Sequence, residues 1–149
     1  MTSWILITML SIMAFPGGKA TQDNVSAELK KLRGAWTLVE EIEDGKRMPA
    51  PAAGKNKLTF DITGNWKVEI DGKVVGEGTA VIDPNRKPKT IDYTFTGGDS
   101  PGAKFIAIYE LDEDLFKHCG VLKGTRPTEF SSKPGTKQIL TIFRRIARD

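Results

Sequence analysis

The sequence predicts an all-β fold of eight antiparallel strands, joined up and down and closed into a small barrel, with a short helix before the first strand. Along most of the chain apolar residues recur at every second position, which is the period of a half-buried strand. The 149 residues include 15 glycines and eight prolines, which divide the chain into many short elements. The connections between the alternating segments are short, whereas parallel pairing needs crossovers of a dozen residues or more.

The predicted helix precedes the first strand and ends at Leu32. Asp23 or Asn24 can cap it, and its apolar stripe begins at Val25 and recurs at helical spacing. After it the period changes to two, and turn signals such as Asp71-Gly72 separate the alternating segments. We predict strands over residues 36–42, 58–62, 66–70, 73–82, 91–95, 105–111, 115–121 and 138–146.

Closure into a barrel follows from the problem of exposed strand edges. Eight meandering strands leave two edges open unless the first and last strands pair, and closure removes both edges. Gly76 and Gly78 within one predicted strand suggest the bend that a barrel corner needs. A two-sheet sandwich is the alternative.

Residues 1–20 differ from the rest of the chain and predict a signal peptide. The run from Trp4 to Phe15 carries no charge and is shorter than the roughly 20 residues of a membrane-spanning helix. Gly18 and Ala20 supply small residues where a signal peptidase cleaves, so we expect cleavage after Ala20 and an exported protein, periplasmic or extracellular. A short buried helix or a membrane anchor is the alternative. The mature chain, residues 21–149, is then a single domain without stable membrane insertion.

Charge and cysteine content exclude several classes of function. The 22 basic and 19 acidic residues are well mixed and give a net charge of only +3. The basic turn Arg86-Lys87-Pro88-Lys89 has no interleaved aromatic residues, so we expect no binding of nucleic acid. Cys119 is the only cysteine, so no intramolecular disulfide can form.

Gly34-Ala35-Trp36, which opens the first strand after a short helix, resembles the G-x-W signature of lipocalins and related calycins. The resemblance implies that Trp36 closes one end of the barrel and that a basic residue of the last strand, Arg144 or Arg145, packs across its ring. A guanidinium over an indole contributes about 0.5–2 kcal/mol.

Most of the mature chain is also similar to a small bacterial domain family known chiefly from planctomycetes, to which no biochemical activity is attached. The resemblance rests on residues 32–36, 44–46, 57–60, 83–84, 87–92, 108–111 and 126–135, the last stretch being the most specific. The strand at 116–120 departs from the apolar pattern that the family leads us to expect. The resemblance implies a lipocalin-like barrel and brings no substrate with it.

Two groups of residues are candidates for ligand binding. The first is aromatic and lies mostly on the apolar faces of the predicted strands, where it either lines a cavity or fills the interior of an eight-stranded barrel: Trp36, Phe60, Trp66, Tyr93, Phe95 and Tyr109. The second is the pair Arg126 and Phe130 in a long loop. As a lid, this loop could hold a carboxylate or phosphate through Arg126. As a structural Ω-loop, it would pair Arg126 with Glu129 and plug the barrel end with Phe130.

No constellation of catalytic or metal-binding residues is recognisable. His118 and Cys119 are adjacent on a strand and therefore point to opposite faces, and we expect the cysteine inside and the histidine outside. The acidic stretch Glu40, Glu41, Glu43 and Asp44 is expected to face water. We therefore expect no enzyme, no cofactor and no metal.

The leading hypothesis is an exported lipocalin-like protein that binds a small apolar or amphipathic molecule in its barrel. The alternative is a non-catalytic protein-interaction module for which a filled barrel is the scaffold. The strand 105–111 is apolar on both faces, and exposure of Ile106 and Ile108 would favour that alternative, whereas burial of both under the helix would count against it.

Overall fold

The computed structural model describes residues 21–49 and 55–148 and shows one helix followed by nine strands. The predicted leader and its cleavage site lie outside the described residues. Helix α1 spans Gln22–Leu32. The strands are β1 (Gly34–Glu43), β2 (Lys46–Met48), β3 (Asn56–Phe60), β4 (Asn65–Ile70), β5 (Lys73–Asp83), β6 (Lys89–Gly98), β7 (Lys104–Leu111), β8 (Leu115–Val121) and β9 (Ile139–Ala147).

Eight of the strands close an antiparallel barrel, which confirms the predicted fold class. Strands β3 to β9 each pair with their neighbours in chain order, β3 pairs with β1, and β9 returns to β1. The ninth strand, β2, was not predicted. It pairs with the end of β1 at Glu41–Glu43, whereas β3 pairs with the beginning of β1 at Gly34–Thr37. Strand β1 therefore changes partner along its length, and this change forms a seam in the barrel wall.

A β-bulge in β1 changes which side chains face the interior. The pairing of β1 with β9 skips a residue between Leu38 and Glu40. Beyond the bulge Glu40 forms an ion pair with Arg47 of β2, whose Nη2 lies 2.8 Å from the carboxylate. Glu41 instead lies opposite Thr141, which is 2% exposed. Such bulges redirect side chains, and this one turns Glu41 inward.

Helix α1 covers one end of the barrel, here called the closed end. Its N-cap is Thr21, whose hydroxyl accepts from the backbone N–H of Asn24 at 3.3 Å, so neither residue predicted to cap it does so. The side chains of Leu29 and Leu32 are buried in the core. The buried carboxylate of Glu28 accepts hydrogen bonds from the Tyr109 hydroxyl at 3.0 Å and from the Lys89 ammonium at 2.6 Å. No helix in residues 21–49 or 55–148 is both long and apolar enough to cross a bilayer.

The closed end is sealed by the arrangement that the G-x-W motif implies. Trp36 is fully buried, and its indole N–H donates to the carbonyl of Leu32 at 2.9 Å. The guanidinium of Arg145, and not that of Arg144, lies 4.0 Å from the centre of the indole ring. It also donates to three backbone carbonyls at 2.6–2.9 Å, those of Lys31, Arg33 and Glu113. One cation therefore ties α1, the tryptophan and the turn before β8 together.

The connection between β8 and β9, residues 122–138, here called the outer loop, lies against the outside of the barrel. The guanidinium of Arg126 makes two hydrogen bonds to the carboxylate of Asp92, at 2.6 and 3.0 Å, and a third to the carbonyl of Ala107 at 2.8 Å. The expected pairing of Arg126 with Glu129 is thus wrong. Phe130 lies under the ammonium of Lys117 on the outer surface, so it does not plug the barrel end.

Candidate functional site

The barrel interior is filled at the closed end and hollow at the opposite end, here called the mouth. The hollow part is a cavity of about 290 Å³. Its lining is Leu38, Glu41, Asn56, Leu58, Trp66, Val68, Tyr93, Phe95, Phe105, His118, Leu122, Ile139, Thr141 and Phe143. Seven strands and the first residue of the outer loop contribute to it, because the inner faces of all these strands converge on one space.

The structure brings together three of the eight residues predicted to bind a ligand. Trp66, Tyr93 and Phe95 line the cavity. The other three aromatics, Trp36, Phe60 and Tyr109, lie in the core without lining the cavity. The remaining pair, Arg126 and Phe130, lies in the outer loop.

Two polar atoms at the cavity have no hydrogen-bond partner in the described part of the chain. The indole of Trp66 packs edge-on against Phe95 and Tyr93, with ring centres 4.7 and 5.5 Å apart. Its Nε1 is buried and unpartnered, and so is the amide oxygen Oδ1 of Asn56. Buried polar groups nearly always have a partner, because leaving one unpaired costs about 1–3 kcal/mol. Two residues of the cavity wall therefore each carry one buried polar atom that the described part of the protein does not satisfy.

A row of polar side chains crosses the inner wall from β1 through β9 and β8 to β6. Thr141 lies opposite both Glu41 and His118 in the strand register, and its hydroxyl donates to the Glu41 carboxylate at 3.5 Å. His118 Nδ1 and the Tyr93 hydroxyl are 2.9 Å apart and share a hydrogen bond. Among the described residues that line the cavity, Glu41 is the one that can carry a negative charge at neutral pH, and none is a lysine or arginine.

His118 lies inside the barrel and Cys119 outside, which reverses the sequence prediction for these two residues. The histidine ring packs between Phe105 and Phe143, and burial lowers its pKa to about 3, so it is neutral under ordinary conditions. Burial raises the pKa of the Cys119 thiol, which donates to the carbonyl of Ser131 in the outer loop at 3.3 Å. The prediction failed because both faces of β8 are buried, one by the barrel core and the other by the outer loop.

Glu41 was expected to face water and instead contributes to the cavity wall. Burial raises the pKa of its carboxyl, the nearby charge of Glu43 raises it further, and the hydrogen bond from Thr141 opposes both effects. Sequence reasoning also missed Asn56 and Thr141 as cavity residues. No local pattern could have found them, since one begins a strand and the other interrupts an apolar run in β9.

A second depression continues from the mouth of the cavity. This groove of about 530 Å³ shares Leu122 and Ile139 with the cavity. The side chain of Leu122 is 55% exposed at the junction. The other lining residues include three lysines and two carboxylates: Lys46, Lys123, Lys137, Glu43 and Asp44. Their charges nearly balance, so the groove imposes no strong field on what enters the cavity.

The outward face of β7 is not an exposed apolar patch. Ile108 is 1% exposed and Ile106 is half-buried, and the contacts of Arg126 and Ser131 place the outer loop over this face. The cover is not helix α1, which packs at the closed end.

Within residues 21–49 and 55–148, no group of three or more His, Cys, Asp or Glu side chains is placed to hold a metal ion. Comparisons with protein-family profiles, with curated proteins and with solved structures return no match.

Proposed function

We propose that this chain is an exported, non-catalytic, lipocalin-like protein that binds a small amphipathic molecule in its barrel cavity. The observation that carries the proposal is the hollow half of the barrel, whose mostly apolar wall includes Trp66, an indole with no hydrogen-bond partner for its N–H among the described residues. Ligand sites in proteins typically combine a mostly apolar lining with a few placed polar groups.

The cavity volume sets the size of the ligand. Taking about 30 Å³ per water-sized group, the cavity of about 290 Å³ holds a body of about ten non-hydrogen atoms. This is near the lower limit of roughly 300 Å³ for small-molecule sites. A longer molecule would place its apolar end in the cavity and the remainder in the groove at the mouth.

The polar groups favour an amphipathic ligand over a purely apolar one. A hydrocarbon would leave Trp66 Nε1 and Asn56 Oδ1 without partners and would also desolvate Glu41 further. A ligand that accepts from the indole and donates to the amide oxygen recovers the unpaired cost of about 1–3 kcal/mol per group.

The first test is native mass spectrometry of the chain purified without detergent, with a matched pair of variants. Val68 lines the cavity, whereas Val81 on the neighbouring strand is 72% exposed. Val68→Phe should fill part of the cavity, and Val81→Phe adds the same atoms outside. We expect a reproducible bound mass on the wild type and on Val81→Phe that is lost on denaturation and absent from Val68→Phe.

Phenethyl alcohol, a small amphipathic probe, gives a second readout through the fluorescence of Trp66. A mass without adduct, together with no response to millimolar probe, would refute ligand binding in the barrel. That result would favour the protein-interaction module. Equal binding to both variants would place the ligand elsewhere on the surface.

A further inference from the structure

The charge inside the cavity is one-sided and selects among amphipathic ligands. Of the described residues that line it, Glu41 is the one carboxylic acid, and burial keeps His118 neutral. No lysine or arginine in the described part of the chain lines the cavity to neutralise that carboxylate. In the rest of the described chain, by contrast, the more buried carboxylate of Glu28 has the Lys89 ammonium at 2.6 Å.

The hydrogen bonds available to Glu41 are few. Its Oε2 accepts one long bond of 3.5 Å from Thr141, while a carboxylate can accept several. Burial and the neighbouring Glu43 raise the pKa of its carboxyl, as expected for an acid without a cationic partner. Asn56 lines the same cavity, and its Oδ1 is a second buried acceptor without a partner among the described residues. Both groups require a donor that the described chain does not supply.

The remaining wall is suited to the body of such a donor molecule. Trp66, Phe95, Tyr93 and Phe105 line the same space, and aromatic faces attract cations as well as apolar groups. On the basis of the proposed function, we propose that the ligand is a small amphipathic amine. Its protonated nitrogen is bound by the carboxylate of Glu41 and the amide oxygen of Asn56. Its apolar body occupies the aromatic part of the cavity.

The lysines of the groove would favour an anionic head group and so compete with the preference of Glu41 for an amine. They are Lys46, Lys123 and Lys137. They lie outside the cavity and share the groove with Glu43 and Asp44, so their effect on a nitrogen inside the barrel is partly cancelled and is screened by salt. The carboxylate that the ligand contacts directly therefore determines the preferred charge.

Three probes of one shape test the proposal by titration calorimetry at neutral pH: phenethylamine, phenethyl alcohol and phenylacetate. We expect the wild type to bind the amine at least about tenfold more tightly than the alcohol, a difference of about 1.4 kcal/mol, and to bind the carboxylate most weakly. Glu41→Gln keeps an acceptor for Thr141, so it should remove the preference for the amine while the affinity for the alcohol changes little.

Glu40→Gln is the matched control, because it removes the same charge from the same strand but from outside the cavity and the groove, where Glu40 pairs with Arg47. It should leave the preference for the amine almost unchanged. Asn56→Val supplies an independent variant should Glu41→Gln fold poorly, and it should weaken the amine more than phenylacetate.

The outcomes separate this inference from the function on which it rests. Equal binding of the three probes, or tighter binding of phenylacetate, would overturn the amine and leave the barrel as a ligand site. A preference for the amine that survives Glu41→Gln would overturn the assigned counter-ion. Failure of all three probes to bind at millimolar concentration would overturn both proposals.

Discussion

Replacing His118 with glutamine should change how the stability of the barrel depends on pH. The folded-state pKa of His118 is about 3 because the ring is buried, and the unfolded chain has the ordinary value of about 6.5. Below about pH 6.5 the unfolded state therefore takes up a proton that the folded state does not. The stability that the folded state has with a neutral His118 is therefore fully present above that pH. It is lost progressively as the pH falls towards 3.

The magnitude follows from the linkage between proton binding and folding. Each pH unit in this interval lowers the free energy of unfolding by up to about 1.4 kcal/mol. From about pH 6.5 to 5 the histidine alone costs the wild type about 1.6 kcal/mol. Glutamine keeps a hydrogen-bonding group near the Tyr93 hydroxyl and does not titrate, so the variant should lack this part of the pH dependence.

Urea unfolding of both proteins at several pH values between 7 and 4 measures the effect. Other groups, including Glu41, titrate in both proteins, so their contributions to the pH dependence largely cancel when the free energies of unfolding of the two proteins are subtracted. Tyr93→Phe is a useful control, because it removes the hydrogen bond and leaves the buried imidazole, whose pKa burial alone lowers. Its stability should keep the dependence of the wild type. Parallel curves for wild type and His118→Gln would refute the assignment of a buried, neutral histidine.

Two further predictions concern the closed end and the outer loop. Arg145→Lys removes the guanidinium over Trp36 and some of its hydrogen bonds to carbonyls, and should lower the free energy of unfolding in urea by about 2–4 kcal/mol. Arg144→Lys, at the exposed neighbouring position, should lower it by under about 0.5 kcal/mol. Equal losses in the two variants would contradict the role of Arg145 in sealing the closed end. Arg126→Ala breaks the bonds that hold the outer loop to β6 and β7, so the thiol of Cys119 should be alkylated at least about tenfold faster as the loop opens locally. Lys133→Ala, which removes only a surface ion pair, should leave the rate unchanged, and a slow rate in both variants would mean that the loop stays docked without Arg126.

The sequence allowed prediction of the barrel because its strands alternate strongly. In β4, for example, Trp66 is buried and the segment ends in the Asp71-Gly72 turn, so both the period and the boundary are local signals. Strand β2 has neither signal. Its three residues are all exposed and owe their conformation to pairing with β1, which lies close in space through a tight turn.

The candidate site was harder to predict because two non-local features determine it. The bulge after Leu38 depends on the register with β9, about a hundred residues later, and it alone places Glu41 inside. The outer loop buries the outward face of β8, which hides the alternation that would have shown His118 inside. The partner of Arg126, Asp92, is likewise far away in sequence, whereas Glu129 was the nearest carboxylate by residue number.

The seam in the barrel wall has a consequence for assembly. Where β1 leaves β3 and pairs with β2, the barrel gains a short edge strand, and unpaired edges are the places where copies of a protein add to one another as fibrils or swapped dimers. The edge here is only three residues long. It carries the cations of Lys46 and Arg47 and is followed by Pro49, which has no N–H to donate. Strand addition is therefore opposed here by the short length of the edge, by its positive charges and by the missing N–H of the proline. These features disfavour polymerisation at the point where the barrel's own strand pairing is interrupted.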